Sequence, residues 1–186
     1  RYYLDLFILL DSESTAINLH QFLINKLDSG LSQVSALEYF GYNCQNYMIN
    51  RDKFFKNKNQ VAVYIQIPIY SGTIEEACEK WLNILLDSNC KISNEDIYVL
   101  NDKKSWDLFF EARHSMPEIA LKKTKELDGI SIITDTIVPA CNFKLFLDKA
   151  HALIQKANIE YVLFGHLGDC HLHFHLIPSK IQKKIA

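Results

Sequence analysis

The chain is poor in glycine and proline, has no paired-cysteine motif, and carries no excess charge of one sign. Six glycines and four prolines in 186 residues leave room for few tight turns, so long strands and helices are expected. The five cysteines (Cys44, Cys78, Cys90, Cys141, Cys170) are odd in number and widely spaced, with no C-x-x-C. That argues against a disulfide framework or a thiolate zinc site and favours a reducing, cytoplasmic setting. No apolar run approaches the roughly 18 residues of a membrane helix; Leu4–Leu10 and Ile130–Cys141 are short and interrupted. With 20 basic and 22 acidic residues, net −2, a general electrostatic grip on nucleic acid or on an anionic membrane is disfavoured. Arg1 opens directly in a strand-like run, without Met or signal segment, and the expectation is an internal segment of a longer protein.

What is present is a soluble, globular composition: 48% hydrophobic and 23% charged residues, enough for one domain with a core. Tyr2–Leu10 is apolar and β-prone, and Asp11-Ser12-Glu13-Ser14 offers helix-capping side chains. Ile17, Leu19, Phe22, Leu23 and Leu27 follow a helical period that Gly30 is expected to end. Val34–Phe40 reads as a strand leading through Gly41 into a helix with Tyr42, Tyr47 and Met48. Lys53–Asn59 reads as a loop and Val61–Pro68 as a strand. A helix is expected from Thr73, a short strand at Ile97–Leu100, and a long helix over Asp102–Lys125 that Pro117 should kink or break near His114–Met116. Gly129–Val138 reads as a strand, Phe143–Ala157 as a helix, and Ile159–Gly165 and His171–Pro178 as a final strand pair. Trp81 and Trp106 are assigned to packing. The fold class expected is α+β, a mixed, largely antiparallel ferredoxin-like sheet with helices packed on it, as a single domain over residues 1–186.

Four of the seven histidines fall in Gly165-His166-Leu167-Gly168-Asp169-Cys170-His171-Leu172-His173-Phe174-His175. Strand alternation puts His171, His173 and His175 on one face and Leu172, Phe174 and Leu176 on the other. The turn at Gly168 can fold His166 back beside His173. Converging imidazoles suit a divalent ion such as Zn²⁺, or acid–base chemistry near neutral pH. Asp169 is either a carboxylate that orients a histidine or a plain turn residue.

Gly-His-Leu-Gly-Asp-Cys-His-Leu-His resembles the G-H-x-G-D-[GA]-N-L-H signature of the C-terminal domain of FAD-linked oxidases, which include D-lactate dehydrogenases, the glycolate oxidase flavoprotein subunit and D-2-hydroxyglutarate dehydrogenase. Ser35-Ala36-Leu37-Glu38, Trp106 followed by Arg113, and Thr134-Asp135-Thr136-Ile137-Val138-Pro139 resemble three further motifs of that family in the right order. The resemblance implies a substrate-side domain beside an FAD-binding domain of the same chain, acting on a small 2-hydroxy acid such as D-lactate or glycolate. It implies His166 and His173 as ligands of a divalent metal, Zn²⁺ first, and Arg113 as the clamp on the substrate carboxylate. His171 and His175 are the candidate catalytic histidines, with His175 also placed at substrate. An electron acceptor, peripheral docking at the inner face of a membrane, and a homodimer all stay open as partner relations.

The sequence also departs from the family's pattern. His171 stands for the usual Asn, Cys170 for the usual Gly and His175 for an Asn at substrate. Ile133 stands where 2-hydroxyglutarate enzymes tend to carry Lys, and the family's E-H-G segment would lie beyond Ala186. Two rivals remain. His171-Leu-His-Phe-His-Leu-Ile177 fits the H-φ-H-φ-H-φ-φ string of histidine-triad nucleotide hydrolases and transferases. A non-catalytic domain with a degenerate site is the other.

Overall fold

The computed structural model describes residues 2–180 and 182. Among these, seven strands and four α-helices follow in the order β1 (Tyr2–Leu10), α1 (Glu13–Lys26), β2 (Ala36–Phe40), β3 (Val61–Ile69), α2 (Ile74–Leu86), β4 (Ile97–Val99), α3 (Lys103–Glu126), β5 (Ile132–Ile133), α4 (Ala140–Lys156), β6 (Glu160–His166) and β7 (His171–Ile177). The strands form one sheet in the order β4-β1-β3-β2-β6-β7-β5, and every pairing is antiparallel. The largely antiparallel α+β sheet read from the sequence is present.

Both faces of the sheet are covered. Leu4, Leu6, Ile8 and Leu10 of β1 join Leu19 and Leu23 of α1, Trp81 and Leu85 of α2, and Phe143 and Leu147 of α4 in one core. Phe7 and Leu9, the alternate residues, join Phe109, Ala112 and Met116 of α3 in a second core on the opposite face. A strand buried on both sides loses polar alternation, which is why β1 reads as a continuous apolar run. On the α3 face Phe109 is ringed by Phe7, Phe40, Phe54, Tyr64 and Trp106 at 4.9–6.3 Å between centroids. That aromatic seat fixes α3 against the sheet one turn before Arg113.

Four expectations are corrected. No α-helix follows Gly41: two short 3₁₀ turns, Cys44–Asn46 and Arg51–Lys53, stand there. Asn43 and Asn50 take left-handed conformations just before each turn, and neither can propagate a helix from there. Gly30 does not end α1, which stops at Lys26 with Leu27 as its cap; Gly30 opens a separate 3₁₀ turn. Nor does Pro117 break α3, which runs from Lys103 to Glu126. The proline removes only the hydrogen bond to the Arg113 carbonyl, while Ala112, Met116 and Ala120 stay buried on either side of it. Gly129–Val138 pairs as a strand only at Ile132–Ile133. Thr134 N still donates to Phe174 O at 3.1 Å and Val138 N to Cys170 O at 3.3 Å, so the segment lies along β7 up to Pro139.

Candidate functional site

The histidine strand faces α3. In the β6–β7 hairpin His166 lies opposite His171, Phe164 opposite His173, and Val162 opposite His175; in β2, Glu38 lies opposite His166. These side chains therefore share one face, and their surroundings change along it. His171 and His173 are about one-fifth exposed, whereas His175 is 2% exposed. Going down β7 from His171, the strand passes beneath α3, and His175 ends beside the apolar layer containing Val162 and Ile177.

The exposed end gathers a compact cluster. Imidazole centroids lie 4.6 Å apart for His171 and His173, 5.7 Å for His166 and His173, and 5.8 Å for His166 and His171. His173 Nδ1 donates to the Thr134 carbonyl at 3.0 Å. A carbonyl only accepts, so that bond leaves the Nε2 lone pair of the neutral ring open. His171 Nε2 lies 2.5 Å from Asp135 Oδ1. Ligand atoms of Asp135, His171 and His173 lie within 4.8 Å of one another, and two imidazoles with a carboxylate form a donor set that zinc accepts.

Arg113 reaches the same cluster from α3. Its Nε and Nη2 donate to Glu38 Oε2 at 3.0 and 2.5 Å, and Glu38 Oε1 lies 3.2 Å from His166 Nδ1. Arg113, Glu38, His166 and His173 line a cavity of about 220 Å³, closed on its apolar side by Phe40, Met116, Pro117 and Phe164. A larger cavity, about 530 Å³, opens beside α1. Its one histidine, His151, is bridged between Tyr161 OH and the Glu13 carboxylate. The smaller cavity is the one that joins a cation to free imidazole nitrogens.

The structure thus brings together four of the sequence-derived candidates: Arg113, His166, His171 and His173. His175, expected at substrate, lies apart from them. Its Nε2 is 2.9 Å from Ser131 Oγ, its Nδ1 is buried without a partner, and burial pulls its pKa down, holding the ring neutral. It does not line the cavity. Asp169 is exposed in the hairpin turn, so the carboxylate beside the histidines is Asp135. Glu38 and Asp135 went unassigned in the sequence, although both sit inside motifs quoted there. The one available signal was alternation: Glu38 falls between Leu37 and Tyr39, which pack into the first core, so it must face the other way.

A family model for the C-terminal domain of FAD linked oxidases matches residues 17–183. The chain belongs to this family. Among solved structures, 4-ethylphenol oxidase from Gulosibacter chungangensis in its isoeugenol complex matches 95% of this chain with a TM-score of 0.50 at 10% identity. At that identity the likeness bears on fold alone. The match spans 39% of the oxidase, so this chain is well under half its length. No curated protein sequence matches. Among the described residues no helix is long and apolar enough to cross a membrane.

Proposed function

We propose that this domain forms the substrate side of an FAD-dependent 2-hydroxy acid dehydrogenase, with D-lactate or glycolate as substrate. The observation that carries this reading is the shared cavity: one guanidinium, Arg113, and three imidazoles, His114, His166 and His173, around a space of about 220 Å³. A small α-hydroxy carboxylate needs a fork for its carboxylate and a base or cation near its hydroxyl. Arg113 has five N–H donors and spends two on Glu38, leaving Nη1 for the substrate.

Oxidation removes the hydroxyl proton and a hydride from C2. Flavin supplies the hydride acceptor. As the family resemblance implies, FAD is assigned mainly to an FAD-binding domain of the same protein outside these residues. His166 and His173, the metal histidines that the family resemblance implies, would with Asp135 hold a divalent metal, whose contribution is Lewis-acid polarisation of the hydroxyl. His171, held by Asp135 beside His173, is the remaining candidate to take the proton; the buried His175 is not.

The test is a visible absorption spectrum of the natural gene product before and after anaerobic D-lactate. Bleaching of the flavin bands supports both family chemistry and substrate. Flavin bands that persist through D-lactate and glycolate overturn the substrate assignment, and a protein without flavin overturns the whole reading.

A further inference from the structure

Resting on the reading above, we infer that Glu38, anchored by Arg113, is a positioning residue that sets which nitrogen of His166 carries the lone pair. Glu38 stands in β2 directly opposite His166 in the sheet register, and its side chain is only 12% exposed. Oε2 is committed to two donors of Arg113, which leaves Oε1, 3.2 Å from His166 Nδ1. An ionised carboxylate has no hydrogen to give. The neutral His166 ring facing it therefore carries its proton on Nδ1 and its lone pair on Nε2.

His173 reaches the same tautomer by a different route, through the backbone carbonyl of Thr134. Two rings with centroids 5.7 Å apart thus present the same nitrogen, one under main-chain control and the other under side-chain control. The main-chain acceptor cannot be changed by substitution, but the carboxylate can. This gives Glu38 its role: its negative charge 3.2 Å from Nδ1 favours the proton there and leaves Nε2 as the ligand or base nitrogen of His166.

Glu38→Gln separates the two functions of the carboxylate. With its amide oxygen kept by the Arg113 donors, the amide N–H groups face His166 Nδ1. The ring then accepts at Nδ1 and moves its proton to Nε2, which removes the free lone pair. The experiment is heteronuclear NMR of the purified protein labelled with ¹⁵N-histidine, at a pH where the rings are neutral and without added metal, with His166 assigned by its loss in His166→Gln.

The wild-type protein should show His166 as Nδ1–H and Glu38→Gln should show it as Nε2–H, while His173 stays Nδ1–H in both. A wild-type His166 already in the Nε2–H form overturns the inference without any variant. A folded Glu38→Gln protein with an unchanged tautomer overturns it as well. Because no turnover is measured, a protein that oxidises no 2-hydroxy acid yet shows the proton shift would sink the proposed function and leave the role of Glu38 standing.

Discussion

Arg113 and Glu38, 75 residues apart, meet through two hydrogen bonds on a single carboxylate oxygen, from Nε at 3.0 Å and Nη2 at 2.5 Å. The pair ties α3 to the middle of the sheet and places a cation at the cavity. It also shows that Arg113 is not an idle surface charge.

Replacing the fork tests its use. Arg113→Lys keeps the charge but not the planar array of donors, and one ammonium cannot hold Glu38 and a substrate carboxylate in the same geometry. In steady-state kinetics of the flavin-loaded protein, KM for the hydroxy acid should rise about 10- to 100-fold, matching a loss of roughly 1.5–3 kcal/mol for a charged hydrogen-bonded pair. An unchanged KM would reduce Arg113 to a structural partner of Glu38.

His173 and His175 sit two residues apart on one strand and should respond differently. His173→Ala is expected to lose bound divalent metal, read by elemental analysis, and most of kcat. Ser131→Ala removes the partner of the buried His175. It should lower stability by about 1–3 kcal/mol in chemical denaturation and leave metal content unchanged. Retention of metal and turnover by His173→Ala would remove the metal from the reading.

The contrast within β7 also marks how far the sequence could be read. Alternation was enough to put His171, His173 and His175 on one face, and the spacing of β6 and β7 was enough to bring His166 beside them. It could not show that α3 crosses that face at His175, because helix docking depends on Phe109 meeting rings from β1, β2, β3 and the loop after β2. For the same reason Glu38 was visible only as a letter in a motif: its partners lie 75 and 128 residues away and are joined to it by sheet order. The helix expected after Gly41 failed on local chemistry instead. Tyr47, Met48, Phe54 and Phe55 supply buried apolar groups, but the left-handed asparagines at 43 and 50 divide them between turns.

Gly165 holds the hairpin close enough for the histidines to converge. Its φ is +144°, and a Cβ there would lie 2.9 Å from the His171 carbonyl oxygen and 2.9 Å from His173 Cδ2. The first obstacle is backbone, so it cannot swing aside. Gly165→Ala should cost about 1–3 kcal/mol from strain alone and displace His173 as well. The expected signature is a lowered denaturation midpoint together with weakened Zn²⁺ binding in a direct titration. A variant equal to wild type in both would show that the β6–β7 approach tolerates a methyl group.

A last prediction concerns acid stability and lies on the opposite face of the sheet. His20 of α1 is 1% exposed, with Nε2 3.4 Å from the Gly168 carbonyl. Burial lowers its pKa from the ordinary 6.5, only partly offset by that carbonyl. The folded protein therefore keeps His20 neutral where the unfolded chain takes up a proton. Its contribution is fully present above the unfolded value near 6.5 and is lost as pH falls from there toward the lower folded value, with a slope of at most about 1.4 kcal/mol per pH unit. His20→Gln retains an N–H donor for Gly168 but cannot titrate. Urea denaturation at pH 7.5, 6.5 and 5.5 should show a shallower decline for the variant. Some decline should remain, because burial lowers the pKa of His175 in the same direction. Parallel curves for the two proteins would mean that His20 takes up its proton without leaving the folded state.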